Sequence, residues 1–400
     1  MNFVENKYTC IFGGGAIRGV SYIGAIQALD ELNISIDTIA GSSVGAIFSG
    51  LLAVGYNAEE IKKMFLKVNF DLFRDIHIGF GKAFALSKGE VFLEWLREMI
   101  ESKFYGENYK KGENPTVKFK DLKKNLVIIT TDLTNFKCKE FSKTETPDFE
   151  VATAIRISSS MPGLMTPVVY EDVELVDGDL QKSWPLWKLS NTLFQSKDRI
   201  LEFRLEGDYD KNGKNAIDYL NTVYSCVTSI ATKNVVQMYG DYDKYDFVTI
   251  NTGDVLLVDF NLSTEKRNDL MNIGYVQTMD YFKNVLTNKK QKLSKIYTSL
   301  EKNVFSVVNQ LEKNNVLQAK IELGNVYMTL CEVKAQIDEN FYTSLQNAKF
   351  RLVNELKPSF FGKYSSEKVK SVCQDFKIIK NLLNEKVKNL KETQKELKKI

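Results

Sequence analysis

Histidine is almost missing from this chain: a single residue, His77, in 400. A serine enzyme built on a Ser-His-acid triad would have to use that one, and a histidine-rich metal site is excluded. Cysteine is sparse as well. Cys10, Cys138, Cys226, Cys331 and Cys373 are odd in number and scattered, with no C-x-x-C pair. That fits neither a disulfide framework nor a zinc site, and it suits a reducing compartment. No ligand cluster for calcium or zinc is visible, so neither metal nor other cofactor is expected. No apolar run reaches the roughly 18 residues of a spanning helix. The first apolar run is a short strand that enters a glycine-rich turn, unlike a signal peptide. These absences predict a cytoplasmic protein, peripheral at membranes at most. A broad basic surface is lacking too. The net charge is +3, yet from Lys377 onward eight lysines face only Glu385, Glu392 and Glu396, a local +5 that leaves −2 (+3 less +5) for the preceding chain. Nucleic-acid binding by the main domain has no support.

What is present is an ordinary globular composition, 44% hydrophobic and 26% charged. The length favours one large domain with an appendage. Apolar periodicity predicts helices over 19–32, 44–54, 57–68, 89–104, 149–157, 214–239 and 263–288. The second of these is small and apolar throughout, and Asn57 with Glu59 and Glu60 reads as an N-cap with an acidic first turn. Strands are predicted over 8–12, 38–40, 125–131, 137–141, 173–176, 200–205, 247–250 and 255–258. Strands alternating with helices argue for an α/β fold with a mostly parallel sheet covered on both faces. After about residue 289 the strand signal stops, and long helices follow with breaks near 314–315, 338–340 and 357–362. The last helix carries Val369, Val372, Phe376, Ile379, Leu383, Val387, Leu390 and Leu397 at 3/4 spacing opposite a lysine-rich face. That seam either packs on the core or offers a surface for self-association or for an anionic membrane.

The chemistry concentrates in the first 45 residues. Tyr8-Thr9-Cys10-Ile11-Phe12 runs into Gly13-Gly14-Gly15-Ala16-Ile17-Arg18-Gly19, and Thr38-Ile39-Ala40 runs into Gly41-Ser42-Ser43-Val44-Gly45. The second is G-x-S-x-G between an apolar strand and an apolar helix, the context in which a sharp turn presents a serine Oγ. A hydroxyl becomes a useful nucleophile only when a base takes its proton and donors hold the oxyanion that forms. The glycine run can supply such donors, because backbone N–H groups without Cβ atoms make an anion-binding nest. A dinucleotide fingerprint fails on spacing, since G-x-G-x-x-G from Gly13 meets Arg18 and from Gly14 meets Ala16. A phosphate-binding loop of the Gly-Lys-Ser/Thr type is absent. A tight turn without ligand remains the plain alternative.

These segments, with Asp177-Gly178-Asp179 and Ala154-Ile155-Arg156-Ile157-Ser158-Ser159-Ser160-Met161-Pro162, resemble the patatin-like phospholipase family in order and spacing, over roughly residues 7–285. The resemblance implies a patatin-like three-layer fold with a mostly parallel central sheet, here followed by a C-terminal all-α appendage. It places an acyl hydrolase domain at 1–288 and a helical region at 289–400. It implies a Ser–Asp dyad, Ser43 as nucleophile and Asp177 as base, which accounts for the missing histidine. Gly13, Gly14, Gly15, Arg18 and Gly19 match the oxyanion loop, Gly41 and Gly45 the nucleophile turn, and Gly178 and Asp179 the acid motif. Asp179 departs from the glycine or alanine usual there, and a second carboxylate so close would raise the pKa of the base.

The implied substrate is a phospholipid or another acyl-ester lipid. Transacylation, thioester cleavage or a silent lipid- or partner-binding module are the alternatives. His77 precedes Asp177 in the chain, against the order of α/β-hydrolase triads, so it is not expected to be the base. Its neighbours Phe70, Phe73, Phe80 and Phe84 read as packing or as part of a lid or acyl-chain entrance, and Trp184 and Trp187 read as core, with lining of the lipid groove as the alternative.

Overall fold

Strand β1 (Lys7–Phe12) lies between the strands Arg199–Glu206 and Ser35–Gly41 in the main sheet and leads into the glycine-rich segment. The structure is a computed structural model that describes residues 7–70, 85–181, 193, 199–208, 216–257, 259–333, 339–360 and 362–400. After β1 come α1 (Tyr22–Glu31), β2 (Ser35–Gly41), α2 (Val44–Val54), α3 (Ala58–Lys67), β3 (Ala85–Ser87), α4 (Glu90–Tyr105), β4 (Asn125–Asp132) and β5 (Lys137–Ser142). They are followed by α5 (Val151–Ser158), β6 (Gly163–Met165), β7 (Val168–Tyr170), β8 (Val173–Asp177), β9 (Arg199–Glu206), α6 (Ala216–Tyr239), β10 (Tyr245–Asn251) and α7 (Thr264–Asp280).

The main sheet has eight strands in the order β10-β9-β1-β2-β4-β8-β7, with β5 paired to β4. From β10 to β4 all pairs are parallel, and the antiparallel pairs lie at the β4 end. The fold is thus the mostly parallel α/β arrangement read from the sequence. Both faces are covered, which is why β4 is apolar without alternation. Its Leu126 and Ile128 enter a cluster with α2, α4 and α5. Val127 and Ile129, one residue out of phase, point to the other face beside Ile11, Ala40 and Ile200. Helix α3 starts with the full capping box: Asn57 accepts from the Glu60 N–H at 2.9 Å and Glu60 from the Asn57 N–H at 3.0 Å.

Several elements differ from expectation. The first helix begins as a 3₁₀ turn, Ala16–Ser21, before α1. Strands β3, β6 and β7, each three residues long, carry too little pattern to be read. The strand expected over 255–258 does not form at Val255–Leu257; those carbonyls are taken by the glycine-rich segment. The Arg18 Nε donates to Val255 O at 2.7 Å and the Ile17 N–H to Leu257 O at 3.3 Å. The helix expected to end at 288 changes at Tyr281 into a π-helical stretch, Tyr281–Leu286.

The chain divides into two compact units, the first reaching Gly240 and resuming over Tyr245–Asp280, the second holding Asp241–Lys244 and Tyr281–Ile400. The second unit contains α8 (Thr287–Glu312), α9 (Val316–Val333), α10 (Glu339–Phe350) and α11 (Ser366–Leu397). The seam of α11 is covered within this unit. Val369, Val372, Phe376, Ile379, Leu383, Val387 and Leu390 join one core with Leu300, Val304 and Val308 of α8. The apolar seam is therefore core of this unit. Some of the opposing lysines are paired, Lys377 with Glu312 at 2.6 Å and Lys386 with Asp243 at 2.8 Å. Phe376→Ala is expected to cost about 3–5 kcal/mol, the usual range for a fully buried ring. An unfolding free energy lowered by less than about 1 kcal/mol would show that the seam is not packed.

Candidate active site

Ser43 sits at the junction of β2 and α2 in a conformation that serine avoids, φ 53° and ψ −128°. The strain is held by its surroundings. The Ser43 N–H donates to Ser158 Oγ at 3.0 Å, and Ser158 Oγ donates on to Ile129 O at 2.6 Å. The Ser42 N–H donates to Phe12 O at 3.1 Å, tying the turn to the end of β1. Both glycines of the motif are demanded by close approach: a Cβ on Gly45 would lie 1.9 Å from Phe12 O, and one on Gly41 2.3 Å from Gly45 O. The pattern G-x-S-x-G is here a packing requirement around a buried serine.

Asp177 ends β8, whose antiparallel pairing with β4 sets Asp177 opposite Thr130. It is fully buried, and the Ser43 hydroxyl donates to its Oδ2 at 2.7 Å. Its Oδ1 accepts the Asp179 N–H at 2.7 Å and the Tyr224 hydroxyl of α6 at 3.4 Å. Thr131 Oγ1 holds the Asp177 carbonyl at 2.8 Å. Burial, and secondly the charge of Asp179, push the Asp177 carboxyl from its ordinary 3.8 up to about 7, although the bonds from Ser43, Asp179 N–H and Tyr224 pull the other way. A carboxylate poised there can take and return a proton near neutral pH. Tyr224 is the site residue that sequence reasoning missed. It lies mid-helix at no motif spacing, and only packing brings α6 to Asp177.

The glycine segment divides its labour. The Gly13 N–H donates to Phe203 O at 2.9 Å, extending the sheet, so it is not an oxyanion donor in this arrangement. Gly14 faces Ser43: a Cβ there would lie 2.7 Å from Ser43 Cβ and 2.5 Å from Asp179 Cγ. Its N–H donates to Asp179 Oδ1 at 2.8 Å. Gly15 opens the 3₁₀ turn, its carbonyl accepting from the Arg18 N–H at 3.1 Å. Gly19 lets that turn rest on Val44, 2.3 Å from where its Cβ would stand. Arg18, expected with the oxyanion group, is buried and instead ties two loops, donating to Val255 O and, through Nη2, to Asp208 O. Gly178 passes β4 so closely that a Cβ would lie 2.1 Å from Ile129 O. Phe70 packs on Phe65, ring centroids 5.7 Å apart. His77, Phe73, Phe80, Phe84, Trp184 and Trp187 lie outside the described residues. Among the described residues no three histidine, cysteine or carboxylate side chains gather as a metal group.

Gly14→Val is expected to abolish most turnover, because its Cβ alone collides with Ser43 and Asp179. Loss of one oxyanion donor costs about 2.7–4 kcal/mol of transition-state stabilisation. Wild-type kinetics in that variant would show that the loop is only a turn.

A strained serine at a strand-to-helix turn, bonded to a buried aspartate at the end of β8, sits here in an α/β fold with a mostly parallel sheet. Residues 10–187 match the family described as patatin-like phospholipase. A protein of Acanthamoeba polyphaga mimivirus, R571, is 27% identical over 65% of this chain and 89% of its own length. "Probable lipid hydrolase 463L" of Invertebrate iridescent virus 6 is 29% identical over 46% of this chain and 64% of its own. Among solved structures, VipD from Legionella pneumophila superposes with a TM-score of 0.51 at 16% identity, covering 96% of this chain and 90% of that one. That likeness speaks for the fold alone. No helix among the described residues is long and apolar enough to cross a membrane.

Proposed function

We propose that this chain hydrolyses fatty-acyl esters of lipids, of the phospholipase A or lysophospholipase type, through a Ser43–Asp177 dyad. The observation that carries the reading is the 2.7 Å bond from the Ser43 hydroxyl to the buried Asp177 carboxylate at a strained turn. Ser43 Oγ attacks the ester carbonyl carbon as its proton passes to Asp177, and the carbonyl oxygen gains the negative charge. As that oxyanion collapses, the ester C–O bond breaks and Asp177 returns the proton to the leaving alcohol. Water then repeats the sequence on the acyl-serine, giving its proton to Asp177 and releasing the fatty acid as Ser43 recovers its hydrogen. All groups named lie within residues 1–288, the proposed hydrolase domain, with 289–400 as a separate helical region. Because such substrates are held in membranes and micelles, the protein works at a lipid surface. The family match and the name of the iridescent virus relative support lipid as substrate class.

A fluorophosphonate probe and a mixed panel of phospholipids and lysophospholipids test this. Labelling that maps to Ser43, with fatty acid released, is the expected result. Absence of labelling in folded protein would leave only a silent lipid-binding role.

A further inference from the structure

Asp179 does more at this site than repel its neighbour. Its Oδ1 accepts two hydrogen bonds beside the nucleophile, from the Gly14 N–H at 2.8 Å and from Ser42 Oγ at 3.2 Å. The side chain is almost wholly buried, 2% exposed. A backbone N–H next to the nucleophile is where the oxygen of an attacked carbonyl must find its donor. Here that donor already faces a carboxylate oxygen of the chain itself. The place is also taken, since Asp179 Oδ1 itself stands 2.8 Å from the Gly14 nitrogen. A carbonyl oxygen and the Asp179 carboxylate cannot share this donor, and once Ser43 attacks, both would carry negative charge.

We propose that Asp179 occupies the oxyanion seat and controls the rate of ester cleavage, its side chain having to leave the Gly14 N–H before a substrate carbonyl can use it. The inference rests on Ser43 and Asp177 acting as proposed above. The position of the base does not depend on this side chain, because Asp177 Oδ1 is held by the Asp179 backbone N–H, which any residue at 179 supplies; the Asp179 charge acts on the base only by raising its pKa. The competing view makes Asp179 a staple. Its carboxylate joins the segment after β1 to the turn after β2, and on that view its removal would loosen the site. The two views differ in sign: vacating the seat accelerates the reaction, and loosening the site slows it.

The experiment compares wild type, Asp179→Gly and Asp179→Asn by fluorophosphonate labelling of Ser43 and by turnover of a short soluble ester. Measurements are made on the high-pH plateau, so that a change in Asp177 ionisation does not contribute. Asp179→Gly is expected to label and turn over at least about tenfold faster, a fraction of the 10²–10³ that one oxyanion donor is worth. Asp179→Asn, neutral and a weaker acceptor, should fall between the two. An alkyl boronic acid, whose tetrahedral serine adduct sets an oxygen in the same seat, should bind Asp179→Gly tighter by a similar factor, a gain that no staple role provides. Equal or slower labelling by Asp179→Gly with an unchanged melting temperature overturns the proposal. If the glycine variant does not fold, Asp179→Asn decides, and labelling no faster than wild type overturns it. Ser43→Ala runs alongside. Labelling that survives in Ser43→Ala refutes the nucleophile, and labelling abolished there without acceleration at 179 refutes the seat alone.

Discussion

Ser43→Ala should lower acyl-ester hydrolysis by about 10³–10⁶-fold while the protein stays folded. In the proposed mechanism the hydroxyl oxygen is the atom that bonds to the acyl carbon, and nothing else on the turn replaces it. Folding should survive because the Ser43 backbone is held by neighbours, its N–H by Ser158 and its flanking glycines by β1 and α2. Alanine keeps the same backbone demands and loses only the bond to Asp177 Oδ2. Steady-state kinetics with circular dichroism measure this. Retention of a tenth of wild-type turnover would remove Ser43 from the mechanism.

Asp177→Asn should be as inactive as the serine variant, with the double variant no worse, since the two side chains act as one unit. An amide keeps the shape of the carboxylate and cannot take the serine proton. The wild-type pH profile carries the same assignment. Only the ionised carboxylate is a base, so kcat/KM should rise with pH through about 7, the value to which burial and Asp179 push this group. Stability should move the other way. With a folded-state pKa above its ordinary 3.8, the native protein binds more protons than the unfolded chain between about 4 and 7, so stability falls across that window as pH rises. The loss amounts to a few kcal/mol over the whole window. Asp177→Asn abolishes this dependence, and its melting temperature should exceed that of wild type more at pH 8 than at pH 5. A variant that melts lower at pH 8 would refute the burial of a charged Asp177. His77→Ala should keep most activity; loss of activity with native circular dichroism would replace the dyad by a triad.

The parts of the site that could be read from the chain are those governed by neighbours in sequence. A glycine two residues either side of Ser43 is required where β2 turns sharply into α2, so the elbow is visible as a five-residue pattern. The capping box at Asn57 and Glu60 is equally local, as is the 3/4 spacing from Val369 to Leu397. Short strands such as Gly163–Met165 and Val168–Tyr170 fall below what a period of two can reveal.

By itself the sequence determined the α/β order of elements, the strained serine turn, the glycine segment and the Asp-Gly acid turn, because each follows from backbone sterics or side-chain period within a few residues. Tertiary structure decided which of those groups meet. Gly13 and Gly14 are neighbours of one residue type, yet one donates to β9 and the other to Asp179, 165 residues away. Arg18 leaves the expected oxyanion group because a carbonyl 237 residues on, at Val255, accepts its Nε. Tyr224 reaches Asp177 only because α6 crosses to the end of β8, and the α11 seam is core because α8 covers it. Such pairings depend on packing between distant segments, which residue type and spacing along the chain do not encode.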